Sequence, residues 1–487
     1  MTSPRSRWLA LYALCAGMLM IVLDATVVNV ALPVIQVALG FSAAGLAWVV
    51  NAYLIAFGGL LLFAGRLGDL IGQRRVFLGG LTLFTTASLA CGSAPGTTFL
   101  IVARFVQGAG AALTSAVILG MIVTLFPERH EQARAIGVYA FVASAGGAVG
   151  LLAGGIITEY VGWHWVFYVN VPIGIATLVT AARLLPPSQR RAGDGLDVTG
   201  AVLVTSALML GVYTIVVPAS RAGWTAPGTL VLGAAALALL GGFAVREATA
   251  TRPLMPPRML RSKIVVGANL AQALGSVGMF GSFFLGALYL QRVLGYGPMR
   301  IGLAFLPVAV VMGLLSVCGT GWLATRFGAA RVVVPGLLLI GAGLARLALM
   351  PVHATLLGDV LPATVLLGTG AGLCFPQLMT LAVSGVAPRD AGLASGLINT
   401  TGQVGGALGV AVLAAVSSGR AGALRFAGAP EVTALADGYR AAFWVAAALT
   451  GIALVAVLAL LRPSLRAAAS SPAEPEPARA LRDPASA

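Results

Sequence analysis

Fourteen stretches of mostly apolar residues follow one another along the chain. They lie near Leu9–Ile35, Ala43–Gly65, Val76–Ala94, Thr98–Phe126, Ala135–Thr158, Val166–Leu185, Val198–Val217, Thr229–Val245, Ile264–Leu290, Ile301–Thr325, Val332–Met350, Leu361–Val383, Leu393–Ser417 and Ala441–Leu461. A helix of about 20 residues, rising ~1.5 Å per residue, matches the hydrocarbon core of a bilayer. In hydrocarbon every backbone N–H and C=O must find a partner within the chain, so only helices or closed barrels survive there. No strand-like alternation interrupts the stretches. The expected fold is therefore an all-α integral membrane protein with fourteen spans.

Composition excludes the soluble alternative. Hydrophobic residues make up 59% of the chain and charged residues 9%, against ~25% charged in soluble domains. The formal net charge of +15 would suit a nucleic-acid binder, but the charges sit in short loops between apolar stretches. The expected surroundings are a lipid bilayer, with no nucleic-acid partner. With the N-terminus inside, 22 of the 30 Lys and Arg fall on the cytoplasmic side and six in outer loops, while Arg104 and Arg346 lie within spans. That bias predicts a multi-pass cell-membrane protein with both termini in the cytoplasm. The four Cys (Cys15, Cys91, Cys318, Cys374) and three His (His130, His164, His353) lack metal-ligand spacing, so no metal site is expected. No cleavable signal peptide is expected either, since the apolar run of Ala10–Val22 continues to Ile35.

The chain repeats itself. Gly65–Arg75 reads GRLGDLIGQRR, and 256 residues later Gly321–Arg331 reads GWLATRFGAAR. Eight spans separate the copies, which a six-plus-two-plus-six arrangement explains. The expected units are an N-terminal bundle (1–185), a linker carrying two extra helices (186–263), a C-terminal bundle (264–469) and a disordered Pro- and charge-rich tail (470–487). Paired bundles with a site at their interface are a recurring transporter architecture.

Polar residues inside spans are costly and mark pathways by default. Asp24, in LDATVVNVALP, is the acid placed well inside a span. Arg104 in span four needs an anionic or carbonyl partner. The two can pair directly, or through Gln107 or water, and protonation of Asp24 would break such a pair; a static structural pair is the alternative. In the loop after span two, Gly65 and Gly72 permit a tight turn. Asp69 can cap a helix there or pair with Arg74, Arg75 or Arg134; it can also be a mere topological charge. Gly146, Gly150 and Gly154 recur every four residues, a spacing that lets helices pack closely. Asn29, Gln107, Asn269, Gln272 and Gln377 are candidates to line a substrate cavity, with interhelical hydrogen bonding as the alternative.

Four motifs in order resemble the major facilitator superfamily, and within it the fourteen-span drug:proton antiporters. They are LDATVVNVALP (Leu23–Pro33), GRLGDLIGQRR, RFVQGAGAA (Arg104–Ala112) and GWHWVFYVNVPIG (Gly162–Gly174). The resemblance implies two pseudo-symmetric bundles and a monomer. It implies proton-coupled efflux of small amphipathic compounds by alternating access, with the proton gradient as energy source and no cofactor. It also implies that Asp24 and Arg104 couple protons, and that the Asp69 loop is a latch made in one state and broken in the other. Spans one, four, nine and twelve would line the cavity. Two departures stand out. Leu151 follows Gly150 where the family's antiporter motif has Pro, and Thr325 stands in the second copy where Asp69 stands in the first.

Other functions fit less well. A dedicated exporter of a metabolite or self-made antibiotic, not coupled to protons, remains open. The Arg bias (29 Arg, one Lys), pointing to a GC-rich bacterial genome, fits such self-resistance. An enzyme would need an intramembrane acid–base cluster, and an ATP-driven pump a GxxxxGK[ST] loop; the sequence has neither. A sensor would not require the paired repeat. A single embedded carboxylate favours neutral or singly charged cargo over dications.

Overall fold

The computed structural model describes residues 4–186, 197–216, 225–250, 253–255, 257–316, 320–386 and 391–461. The 470–487 tail and the Arg190-Arg191 part of the linker lie outside the described residues. Within them the chain is helical, with no strand. The N-terminal part contains α1 (Pro4–Leu39), α2 (Ala43–Ile71), α3 (Gln73–Gly92), α4 (Thr97–Leu125), α5 (Arg129–Tyr160), the short α6 (His164–Tyr168) and α7 (Asn170–Leu184). Then come α8 (Val198–Val216) and α9 (Pro227–Thr249). The C-terminal part contains α10 (Lys263–Arg292), α11 (Pro298–Leu314), the short α12 (Thr320–Phe327), α13 (Ala329–Ala348), α14 (Leu361–Ser384), α15 (Ala391–Phe426) and α16 (Glu431–Leu460).

Among the described residues, 12 helices are long and apolar enough to cross a membrane, two fewer than the fourteen stretches read from the sequence. The two stretches outside that set fall on α5 and on α11–α12. The first is a 32-residue helix whose first turns carry Arg129, Glu131 and Arg134. The second falls on the 17-residue α11 and the 8-residue α12, and residues 317–319 between them lie outside the described residues.

The sequence repeat reappears as backbone geometry. Gly72 joins α2 to α3 at φ +99°, and Gly328 joins α12 to α13 at φ +84°. The Gly72 N–H donates to Gly68 O at 3.1 Å, and that of Gly328 to Ala324 O at 2.9 Å. The N–H groups of Arg75 and Arg331 then donate to the Gly72 and Gly328 carbonyls at 3.0 and 3.1 Å. Residues with a Cβ resist this positive φ, so glycine at both positions is what lets one helix fold straight back into the next.

Helix α5 is the hinge of the packing, because it offers two stripes of small residues. A Cβ on Gly146 would meet Leu19 and Val22 of α1, one on Gly150 would meet Thr26, and one on Gly154 the backbone of Val27. This stripe therefore seats the α1 segment that carries Asp24. One residue along, Gly155 faces Pro298 and Met299 of α11, and Gly302 of α11 faces the Leu151 carbonyl. Glu159 accepts from the Met299 N–H at 2.8 Å across the same seam. Leu151 is fully buried, and α5 runs through it unbroken. The N- and C-terminal parts also meet along α2 and α15, where Gly58 lies against Thr400 and Gln403.

The inserted pair lies outside this frame. Helix α8 leans on α2 and α15, and α9 packs on α8. Leu230, Val231, Leu237 and Val245 of α9 are exposed, as suits a lipid-facing helix. Asp197 caps α8 by accepting from Gly200 N–H at 2.9 Å, and Arg246 of α9 donates to the same oxygen at 3.1 Å. Glu247 accepts from the N–H groups of Leu254 and Met255.

Candidate functional site

Six of the seven N-terminal helices converge on Asp24, which is 1% exposed. Arg104 of α4, 2% exposed, donates from Nη1 to Asp24 Oδ2 at 2.6 Å. The other carboxylate oxygen accepts from Gln107 Nε2 at 2.8 Å and from Asn170 Nδ2 at 3.2 Å. Arg104 and Gln107 lie three residues apart on one helix face, and Arg104 Nη1 also donates to Gln107 Oε1 at 2.7 Å. On α3, Ser88 accepts from Gln107 and Asn170, each at 3.1 Å, and donates to the Phe167 carbonyl of α6 at 2.9 Å. Cys91, one turn on, donates to Gln107 Oε1 at 3.5 Å.

Helix α2 closes the site. Arg104 Nε donates to the Val49 carbonyl at 3.0 Å, and the guanidinium lies 4.3 Å from the Tyr53 ring centroid. A desolvated cation over an aromatic face gains about 2 kcal/mol. The arrangement meets both requirements for a charge pair in hydrocarbon: short charge-assisted bonds, and partners for the remaining donors and lone pairs. Two atoms at the site are left over. These are the Tyr53 hydroxyl and Asn170 Oδ1, both buried with no hydrogen-bond partner.

The sequence candidates are thus placed as follows. Asp24, Arg104 and Gln107 come together, with the ion pair direct and Gln107 bridging both partners. Asn29 is not in this cluster; its amide donates to Ala25 O of its own helix at 2.7 Å. Asn269 accepts from Thr401 at 2.9 Å, tying α10 to α15, and Gln272 lies beside Gly402 at the same seam. Gln377 is buried in α14. The expected pairing of Asp69 is absent among the described residues. Arg74 reaches Ala182 O at the end of α7, Arg134 lies over the Trp8 ring, and Arg75 is exposed. Gly72 rather than Asp69 occupies the cap position of α3.

Ser88 and Asn170 belong to the site and escaped the sequence reading. Asn170 sits inside GWHWVFYVNVPIG, so the motif was visible but its role was not. Ser88 and Cys91, three residues apart, were the available signal on α3, where Thr82, Thr85 and Thr86 also stand.

The chain matches the family model described as Major Facilitator Superfamily over residues 14–410. It is 41% identical over 469 residues to a cephamycin export protein of Amycolatopsis lactamdurans, covering 95% of this chain and 93% of that protein. It is 40% identical over 420 residues to a puromycin resistance protein of Streptomyces alboniger, covering 85% and 82%. Among solved structures, a bacterial homologue of the human lysosomal transporter Spinster, inward-facing and unoccupied, aligns with TM-score 0.68 at 18% identity, over 97% of this chain and 100% of that one. The family match covers most of the chain, and the membrane helices, the paired glycine turns and the buried ion pair agree with it: this is a multi-pass membrane transporter of small molecules, not an enzyme, and it belongs to the Major Facilitator Superfamily.

Proposed function

We propose that the chain exports small amphipathic compounds, antibiotics among them, in exchange for protons, with Asp24 as the group that carries the proton. The observation that carries this reading is the buried pair of Asp24 and Arg104, 2.6 Å apart. A carboxylate in a dry setting is the kind of group whose charge state can be exchanged for a conformational change. The names of the relatives, which concern cephamycin and puromycin, support the choice of cargo.

In this reading α5 and α11–α12 also cross the bilayer, giving fourteen spans with both termini in the cytoplasm of a bacterial cell. Residues 1–185 and 264–469 move as two bundles of a monomer. A proton from outside neutralises Asp24 and cancels its attraction for Arg104. Arg104 keeps its bonds to the Val49 carbonyl and Gln107, so the cation stays on the α2–α4 side while α1 is released. Asn170 suits both protonation states: its Nδ2 donates to the carboxylate, and a half-turn of the amide would present its unpartnered Oδ1 to a carboxylic acid. Substrate binds in the alternate state, when Asp24 has lost its proton to the cytoplasm. The Gly65–Arg75 loop acts as the latch, with Asp69 taking a partner in the opposite state. Asn29, Asn269, Gln272 and Gln377 face the substrate in states other than this one.

The test is uphill uptake of puromycin into everted vesicles under an imposed pH gradient. Asp24→Asn keeps size and polarity but cannot titrate. It abolishes uphill transport and spares downhill exchange. Full uphill transport by the variant would leave the pair as a static support.

A further inference from the structure

Helix α2 meets α15 along a seam between the two halves. A Cβ on Gly58 of α2 would meet Thr400, Gln403 and Val404 of α15, and one on Gly396 of α15 would meet Leu62. Asn51 stands seven residues before Gly58, two turns and ~10 Å along the same face of α2. It is 0% exposed, and neither its amide nitrogen nor its amide oxygen has a hydrogen-bond partner. Burial that complete leaves no room for a water beside the amide. On α15 the same two turns lead from Thr400 and Val404 to Ala407 and Ala411. Both are buried and carry no polar side-chain atom. Two further buried atoms without partners, Thr400 Oγ1 and Gln403 Oε1, lie lower on this seam. We propose that Asn51 is a built-in opener of the seam: its unsatisfied amide raises the free energy of the closed arrangement and so lets the transporter leave it.

The inference rests on the export reading, which places the start of α2 outside the cell. Asn51 lies in the first third of the 29-residue α2, hence on the outer side of the bilayer. The other seam is also shut at that end, where Glu159 of α5 accepts from the Met299 N–H of α11. The structure therefore has its outer ends together. A buried amide without partners has lost its bonds to water and gained none in return. Parting the outer ends gives Asn51 its water back, and closing them strips it away. Asn269, in the same part of the molecule, behaves differently. It donates to Val265 O at 2.8 Å and accepts from Thr401 at 2.9 Å, so its amide strengthens the packing of α10 on α15. A carrier that works by alternating access needs both of its states populated. An apolar residue at position 51 would favour the closed one too far.

The test measures the separation of the outer ends by electron–electron double resonance, on the full chain in lipid nanodiscs. Spin labels go on Val37→Cys, at the exposed outer end of α1, and Gly419→Cys, where a Cβ meets nothing. Cys318 is changed to Ala; Cys15, Cys91 and Cys374 are buried and stay unlabelled. Asn51→Leu keeps a similar branched shape and removes the amide. It raises the ratio of short to long separations by roughly tenfold, the worth of one unsatisfied polar group. Its melting temperature in detergent rises by roughly 2–4 °C, and uphill puromycin transport falls. Asn269→Leu, which removes an amide with partners, lowers the melting temperature instead. An unchanged distribution of separations in Asn51→Leu, or a lower melting temperature, overturns the inference. Neither readout needs cargo, so the two claims are judged apart. Wild-type vesicles that fail to move puromycin sink the export reading alone, and vesicles that move it while Asn51→Leu leaves the separations unchanged sink the opener alone.

Discussion

The two halves of the transporter share a scaffold and differ in what they bury. In α5, Gly150 stands over the Leu23 carbonyl and Gly154 over the Cα of Val27; in α15, Gly405 stands over the Ala273 carbonyl and Gly409 over the Cα of Val277. In α4, Gly110 nests against Gly80 O and Phe84 N; in α14, Gly370 nests against Gly336 O and Ile340 N. Matching these contacts sets Asp24 against Leu274, Ser88 against Leu344, Arg104 against Thr364 and Gln107 against Leu367. Asp24, Arg104 and Gln107 thus each have an uncharged counterpart. The Thr364 hydroxyl donates to Leu361 O of its own helix turn at 3.0 Å. The small residues that fix helix spacing are kept in both halves, while the charge appears in one. Backbone geometry and charge are separable, and the buried ion pair belongs to the N-terminal half.

The sharpest way to break this comparison is Arg104→Ala. It leaves Asp24 buried without its cation, which costs about 3–5 kcal/mol. The expected outcome is a large fall in melting temperature in detergent, together with loss of transport; a wild-type melting curve would show that the charge is not what the N-terminal half is built around. Asn170→Ala removes one donor to Asp24 and one to Ser88. It costs about 1–3 kcal/mol and lowers coupled transport more than substrate binding, as measured by paired flux and binding assays. The glycine turns should behave alike in the two halves. Gly72→Ala and Gly328→Ala each force a Cβ into positive φ, at about 1–2 kcal/mol, so a large difference between their melting shifts would break the equivalence. The smallest effect is expected for Thr364→Val. As the counterpart of Arg104 it changes stability by less than ~1.5 kcal/mol and leaves proton coupling intact.

What the sequence made legible follows the same division. The helical class, the repeat and the Asp24–Arg104 pair could be read because each has a local signature: apolar length, a glycine spacing, a charge where hydrocarbon forbids one. The neutral members of the site had none. Ser88 and Asn170 look like ordinary polar residues until the fold brings α3 and α7 to α1, and single hydroxyls and amides more often serve helix packing. The partners of the residues around Asp69 were hidden for a related reason. Arg74 had a stronger claim elsewhere, the unsatisfied carbonyls at the end of α7, and a carbonyl terminus carries no letter in a sequence.

The central claim is that the carboxylate present in one half, and missing from the other, carries the proton. Substrate-evoked proton movement, followed in proteoliposomes with a pH-sensitive dye, measures this most directly. Addition of puromycin to wild-type vesicles should release protons from the protein side that exchanges with Asp24, and Asp24→Asn should bind and exchange puromycin without any such signal. An undiminished proton signal from Asp24→Asn would contradict the account.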